Sequence, residues 1–307
     1  MVNNSVVMAI HAVAATLSEF NSWIMQTTQQ CDHCFFRQAK DAAAKAGVNE
    51  ATLGTVVEEI QIVLQQLSYD VSPPVRASAV HQKIRELSGC CDPYYQDKKA
   101  ATAHALSLYP SLKTLVSQSE YPLETAIRLA IAGNIIDLGV ASSYDLEASI
   151  QRVLTEPLAI DHSQELMDAL SKHQQVLYLA DNAGECVLDR LLIEQLTNNK
   201  VTYVVKGSAA VNDATREDAM DAGIDQYCEI IDHGAATLGT LLDQCNDDFI
   251  QRFENAPLII AKGMANYESL SATQRPIFFL LQAKCEVIAD HIGVPLYGQM
   301  VMKEPNQ

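Results

Sequence analysis

The sequence predicts an α/β protein with a helical N-terminal part and a mainly parallel sheet in its second half. Two observations carry this. Up to about residue 173, apolar residues recur at three- and four-residue spacing, as on one face of a helix. Beyond it, short apolar runs rich in Val, Ile and Tyr alternate with helical patterns, which is how parallel strands joined by crossover helices read. The chain has 307 residues, 48% of them hydrophobic and 19% charged, enough for two domains and a sizeable core.

Helices are expected over 4–27, 32–46, 50–67, 75–88, 94–108 and 123–132. Gly47 and Asn49 punctuate one boundary and Pro73-Pro74 another. Pro110 and Pro122 are placed near helix starts, where a missing N–H does no harm. The strands are expected at 176–180, 201–205, 227–231, 257–261 and 277–281, with a last one around 294–302 closing an edge. Helical patterns at 184–197, 214–222, 237–253 and 284–291 separate them. The division is a helical domain over 1–140, its first 30 residues an added helix, and a sheet domain over 141–307.

Net charge is −17, with 10 Lys+Arg against 15 Asp+Glu in residues 1–150 and 11 against 23 in residues 151–307. An acidic second half argues against a nucleic-acid surface, which needs a basic footprint, and suits a protein that holds cations. No run approaches the roughly 18 apolar residues of a membrane span. The start lacks a basic n-region and His11 interrupts its apolar run, so a soluble, cytoplasmic protein with mostly reduced cysteines is expected.

Right-handed crossovers gather the carboxyl ends of parallel strands on one rim, and ligands collect there. The residues just past the expected strand ends are Asp181-Asn182, Lys206-Gly207 with Asn212-Asp213, Asp232-His233 and Lys262-Gly263 with Asn266. Carboxylate and amide oxygens suit hard divalent ions, and a lysine suits phosphate. The helix start after Gly184 adds amide groups for an anion. Each residue also has a plainer reading. Asn182 with Glu185 fits a capping box, Asp213 fits a helix N-cap, and either lysine alone fits a solvated surface.

No GxxxxGK[ST] loop, GxGxxG turn or GxSxG elbow occurs. Cys31-Asp32-His33-Cys34 is a CxxC: half a zinc site with Cys90-Cys91, a redox pair, or two packed thiols. The Gly133-Asn134 step breaks a helical pattern, as a simple C-cap or as part of an interdomain cleft that would include Asn134 and Asp137.

The segments CDHCFFRQA (31–39), CDPYYQDKK (91–99), AIAGNIIDLGV (130–140), YLADNAGECVLDR (178–190), VVKGSAAVNDAT (204–215), AKGMANYESL (261–270) and LLQAKCEVIADHIGV (280–294) run in the order of a known family. Together they resemble the damage-control phosphatases, formerly domain-of-unknown-function family 89, and the CxxC is similar to their stand-alone microbial branch. The resemblance implies a helical domain packed on a Rossmann-like α/β domain. It implies a metal-dependent phosphatase of small phosphorylated metabolites, such as sugar phosphates, acting in metabolite damage control. It further implies that Asp181, Asn182 and Asp213 bind the divalent metal, Mg²⁺ or Mn²⁺ with Co²⁺ and Ni²⁺ also admitted. Lys262 would contact the phosphate, with Asn134 and Glu185 close by; Asp181 and Lys262 are the expected catalytic residues. Asp181 either holds the ion or attacks phosphorus itself. Asp232-His233 departs from the small or hydroxyl residue that the family often shows. Two rival readings are a nucleoside-cofactor-dependent transferase, through an acidic residue after a strand, and a thiol or zinc sensor built on Cys31 and Cys34.

Overall fold

The computed structural model describes residues 25–133 and 150–304. Five helices come first: α1 (Gln29–Lys45), α2 (Glu50–Gln66), α3 (Pro73–Ser88), α4 (Tyr95–Gln118) and α5 (Pro122–Gly133). Asn49 starts α2 by accepting from the Thr52 amide at 3.0 Å. Gly89, with φ +68°, ends α3 in the left-handed conformation. Pro110 does not sit at a helix start. It lies inside α4, which runs ten residues past the expected end at 108. The helical expectation over 4–27 falls mostly outside the described residues, as does the expected domain boundary at 140.

The second half alternates as the hydrophobic runs require. β1 (Ile160–Asp161) and α6 (Ser163–Lys172) lead to β2 (Gln175–Leu179) and α7 (Cys186–Ile193). β3 (Lys200–Val205), α8 (Arg216–Asp221), β4 (Glu229–Asp232) and α9 (Asp247–Asn255) follow. β5 (Ile259–Lys262), α10 (Gly263–Leu270), β6 (Ile277–Gln282), α11 (Glu286–Ile292) and β7 (Gln299–Glu304) complete it. The seven strands lie in the order β1-β7-β6-β5-β2-β3-β4, and every pairing except β6 with β7 is parallel.

Two expectations need correction, and one helix went unexpected. The last strand does not form the edge: the two-residue β1 pairs outside it, too short to leave a hydrophobic run. The helix expected over 237–253 forms only from Asp247, where the Asn246 side chain caps it at 2.9 Å. α10 follows β5 with no intervening loop, its period masked by the polar residues of GMANYESL.

Successive strand residues point to opposite faces, and each face has its own core. Val176, Tyr178, Tyr203 and Ile260 pack with α4, α5 and α7, through residues such as Ala105, Ile127 and Leu188. Leu177, Leu179, Ile259 and Phe279 pack with α9, α10 and α11, through Phe249, Leu270 and Ile288. A third cluster joins α1, α2 and α3 through Phe35, Ile60 and Val80. Thus α4 and α5 share the core of the sheet, while α1 to α3 build their own.

Two buried histidines make this fold acid-sensitive. Burial, and then the charge of Arg85, lowers His81 to about 4. Burial, and then Lys206, lowers His233 to about 3. The unfolded chain takes up these protons near pH 6.5 and the folded chain does not, so stability falls as pH drops below 6.5. Each histidine should cost about 2 kcal/mol between pH 6.5 and 5, at ~1.4 kcal/mol per pH unit. Denaturant titrations of the parent and His81→Phe at pH 7 and 5 check this: the variant should lose about 2 kcal/mol less on acidification. Equal losses would contradict it.

Candidate metal and phosphate site

The chain leaves β2 towards β3 on one side and returns from β5 towards β6 on the other. The carboxyl ends of the neighbouring strands β2 and β5 therefore flank the switch point, where α/β sheets open a crevice. The sequence places Asp181-Asn182 after β2 and Lys262-Gly263 at the end of β5. A cavity of about 350 Å³ lined by Gln175, Lys200, Glu229 and Arg252 lies at the opposite, amino end of the strands, away from these groups.

The loop after β3 is laced to the tip of β2. Asn182 and Asp213 form an antiparallel bridge, and Lys206 pairs with Thr215. The Ala214 amide donates to the Asp181 carbonyl at 2.8 Å, and the Ala183 amide to the Asn212 carbonyl at 2.9 Å. Val211 holds this loop with φ +51°, a strained value for a β-branched residue, while packing against the α1–α3 cluster. Asp181, Asn182 and Asp213 are thereby brought together, all buried.

Neither capping expectation holds. Asn182 starts the 3₁₀ turn Ala183–Glu185, yet its side chain caps nothing: Nδ2 donates to Glu185 Oε1 at 2.6 Å and to Asp181 Oδ2 at 3.1 Å. Thr215, not Asp213, caps α8; its amide and hydroxyl donate to Asp218 Oδ2 at 2.9 and 2.6 Å. Asp213 Oδ2 instead lies 3.2 Å from Lys206 Nζ, which also donates to the Gly239 carbonyl at 2.5 Å. Lys98 from α4 reaches Asp218 at 3.0 Å, tying the start of α8 to the helical half.

Burial pushes the Asp181 carboxyl well up, and the charges of Glu185 and Asp213 push it further; Lys284 and Lys206 offset part of this. The carboxyl oxygens of Asp181, Glu185 and Asp213 are thus crowded in the interior, where a bare negative charge on Asp181 is disfavoured. Gly263, with φ +79°, makes room for that carboxyl: a Cβ there would stand 1.9 Å from Asp181 Oδ2. These features fit a hard divalent cation, whose charge relieves the repulsion and whose chemistry prefers such oxygens.

Lys262 is enclosed between two acids. It is 0% exposed, as are Glu185 and Asp189, and its Nζ lies 2.9 Å from Glu185 Oε2 and 2.7 Å from Asp189 Oδ1. Asp189 also accepts from the hydroxyls of Tyr178 and Tyr203 at 2.7 and 2.8 Å. Asn266 bonds the carbonyls of Ala180 and Lys262 at 3.0 and 2.8 Å, pinning the two strand ends together. Asn134 and Asp137 lie outside the described residues. Gly133 before them packs on Glu185, where an added Cβ would stand 3.4 Å from the Glu185 Cβ.

Sequence reasoning missed Asp189 and Lys284. Glu185 and Asp189 are four apart, hence one helical turn apart, with only Cys186, Val187 and Leu188 between them, a spacing that calls for a buried cation. Lys284 follows the end of β6 on the same rim. The third tip supplies structure instead: Asp232 pairs with Arg216 at 3.6 Å, and His233 packs against Phe249.

The CxxC opens α1. Cys34 accepts from Arg37 and Gln38 at 3.5 Å, and burial raises its thiol, which does not make it an activated nucleophile. Among the described residues no three His, Cys, Asp or Glu side chains form a metal-holding group, so the four-thiolate zinc site with Cys90-Cys91 is not assembled.

Comparison with known proteins agrees with this architecture. A damage-control phosphatase from Archaeoglobus fulgidus is 34% identical over 291 residues, 91% of this chain and 99% of the relative. One from Pyrococcus horikoshii is 30% identical over 285 residues, 91% of this chain and 98% of the relative. An uncharacterized protein from Methanocaldococcus jannaschii is 32% identical over 297 residues, covering 93% and 98%. The crystal structure of a DUF89 family protein from P. horikoshii superposes with a TM-score of 0.84 at 29% identity, covering 91% of this chain and 99% of that one. The family model described as the damage-control phosphatase ARMT1-like domain matches residues 27–300, and the chain belongs to that family.

Proposed function

We propose that this protein is a divalent-metal-dependent phosphatase of small phosphorylated metabolites, such as sugar phosphates, with a role in metabolite damage control. The observation that carries this reading is the convergence of Asp181, Asn182 and Asp213 at the β2/β5 switch point, in a family whose named relatives are damage-control phosphatases. Asp181, Asn182 and Asp213 would hold Mg²⁺ or Mn²⁺, with Co²⁺ and Ni²⁺ as workable substitutes. The ion, when bound, supplies charge for a phosphate oxygen and for the phosphoryl group as the ester breaks. Lys284, just past β6 on the same rim and close enough to Asp181 to lower its carboxyl, would take up phosphate charge, while Lys206 holds Asp213. The backbone bonds joining residues 181–183 to 212–214 keep the oxygens in place before substrate arrives.

A panel of phosphorylated metabolites assayed with Mg²⁺, Mn²⁺, Co²⁺, Ni²⁺ or EDTA tests the reading. Hydrolysis should require metal and fall to background in EDTA; silence across the panel would overturn it. Gly263→Ala offers a geometric check, because its Cβ invades the space of the Asp181 carboxylate. Displacing that oxygen by about 1 Å should cost on the order of 10²-fold in kcat/KM. Unchanged kinetics would mean that the placement of Asp181 is irrelevant to the reaction.

A further inference from the structure

We infer that Lys262 and Asp189 are positioning residues: they fix Glu185, and Glu185 turns the Asn182 amide so that its oxygen is the atom offered to the metal. This rests on the metal assignment above and gives Lys262 a role other than phosphate contact.

The argument follows the donors and acceptors. An amide side chain has two N–H hydrogens and one oxygen, and only the oxygen ligates a hard cation. Asn182 Nδ2 lies 2.6 Å from Glu185 Oε1 and 3.1 Å from Asp181 Oδ2. Two carboxylate oxygens thus take both hydrogens. The reversed amide would press its oxygen against those two oxygens and turn its NH₂ towards the ion. Glu185 therefore selects the rotamer that can ligate.

Glu185 needs its own anchor, since it is fully buried. Its other oxygen, Oε2, is held by Lys262 Nζ at 2.9 Å. Lys262 is held in turn by Asp189 Oδ1 at 2.7 Å. Asp189 is fixed by the Tyr178 hydroxyl on Oδ1 and the Tyr203 hydroxyl on Oδ2. The two tyrosine rings stack with centroids 5.3 Å apart and pair across β2 and β3, so the sheet itself sets their place. The relay runs from the sheet through Asp189, Lys262 and Glu185 to Asn182. Lys262 is enclosed within it.

Mn²⁺ titration by calorimetry of the parent, Asp189→Asn, Tyr203→Phe and Asp181→Ala tests this, with inorganic phosphate inhibition measured at saturating Mn²⁺. Asp189→Asn should weaken Mn²⁺ binding roughly 10- to 100-fold, as expected when a group supporting a metal ligand is lost. Tyr203→Phe removes the hydroxyl that bonds Asp189 and Cys186, and no charge. It should weaken Mn²⁺ in the same direction by about fivefold, and it carries the test should Asp189→Asn not fold. With Mn²⁺ saturating, KM and phosphate inhibition should stay within about twofold of the parent in both, because a positioning role acts on the metal ligand and not on phosphate. Unchanged Mn²⁺ affinity, or weakened phosphate inhibition at saturating Mn²⁺, would overturn the inference and return Lys262 to the phosphate. If the parent and Asp181→Ala bind Mn²⁺ alike, the metal assignment fails and takes this inference with it.

Discussion

Asp181→Asn should lower phosphatase activity by about 10²- to 10³-fold, the usual cost of removing one preorganised electrostatic contact. The same change should raise the thermal midpoint of the metal-free protein. Both effects have one origin. Burial disfavours the ionised Asp181 carboxyl, the charges of Glu185 and Asp213 disfavour it further, and Lys284 and Lys206 offset only part of this. An amide has nearly the same shape and can still accept from Asn182, but it removes the charge. Strain of this kind is characteristic of sites built for a ligand, where stability is given up for function. Steady-state assays with Mn²⁺, together with melting curves in EDTA, separate the two effects. An inactive variant that is also less stable without metal would mean that the carboxylate is structural.

The opposite balance is expected at Lys262. Lys262→Met leaves Glu185 and Asp189 in the interior without their cation, and breaking a buried pair from one side costs about 3–5 kcal/mol. For a chain of this size that should lower the thermal midpoint by on the order of 5–10 °C. Adding Asp189→Leu removes one of the stranded carboxylates and should recover part of the loss, since replacing buried ion pairs by apolar groups is often tolerated. Urea midpoints of the parent and both variants measure this. A loss below about 1 kcal/mol in Lys262→Met, the range of an exposed pair, would show that the ammonium faces water.

The strands of the second half were legible because buried parallel strands need unbroken apolar runs, and VLYLA, VTYVV and IFFLL are such runs. Their tips could be read for the same reason: a polar residue directly after a buried strand lies on the rim. β1 escaped because two residues carry no pattern, and α10 because Asn266 and Glu268 interrupt its apolar spacing. Pro110 misled because sequence alone does not show that tertiary packing can carry α4 through a proline. Local spacing favoured caps at Asn182 and Asp213, since capping needs only neighbouring residues. What brings them together is contact between the two loops, which lie about 30 residues apart. A lysine at a strand tip reads as a solvated surface residue, yet Lys262 is buried. Its burial depends on Asp189, 73 residues away, and becomes visible only when α7 packs over β5.

The central claim, one divalent ion held between the β2 tip and the loop after β3, is tested most directly by calorimetric titration of Mn²⁺ into the parent and Asp213→Ala. The expected result is one ion per chain in the parent, with affinity lowered about 100-fold or more in the variant. Equal binding by the two proteins, or a parent that binds no Mn²⁺ yet hydrolyses phosphate esters in EDTA, would contradict it.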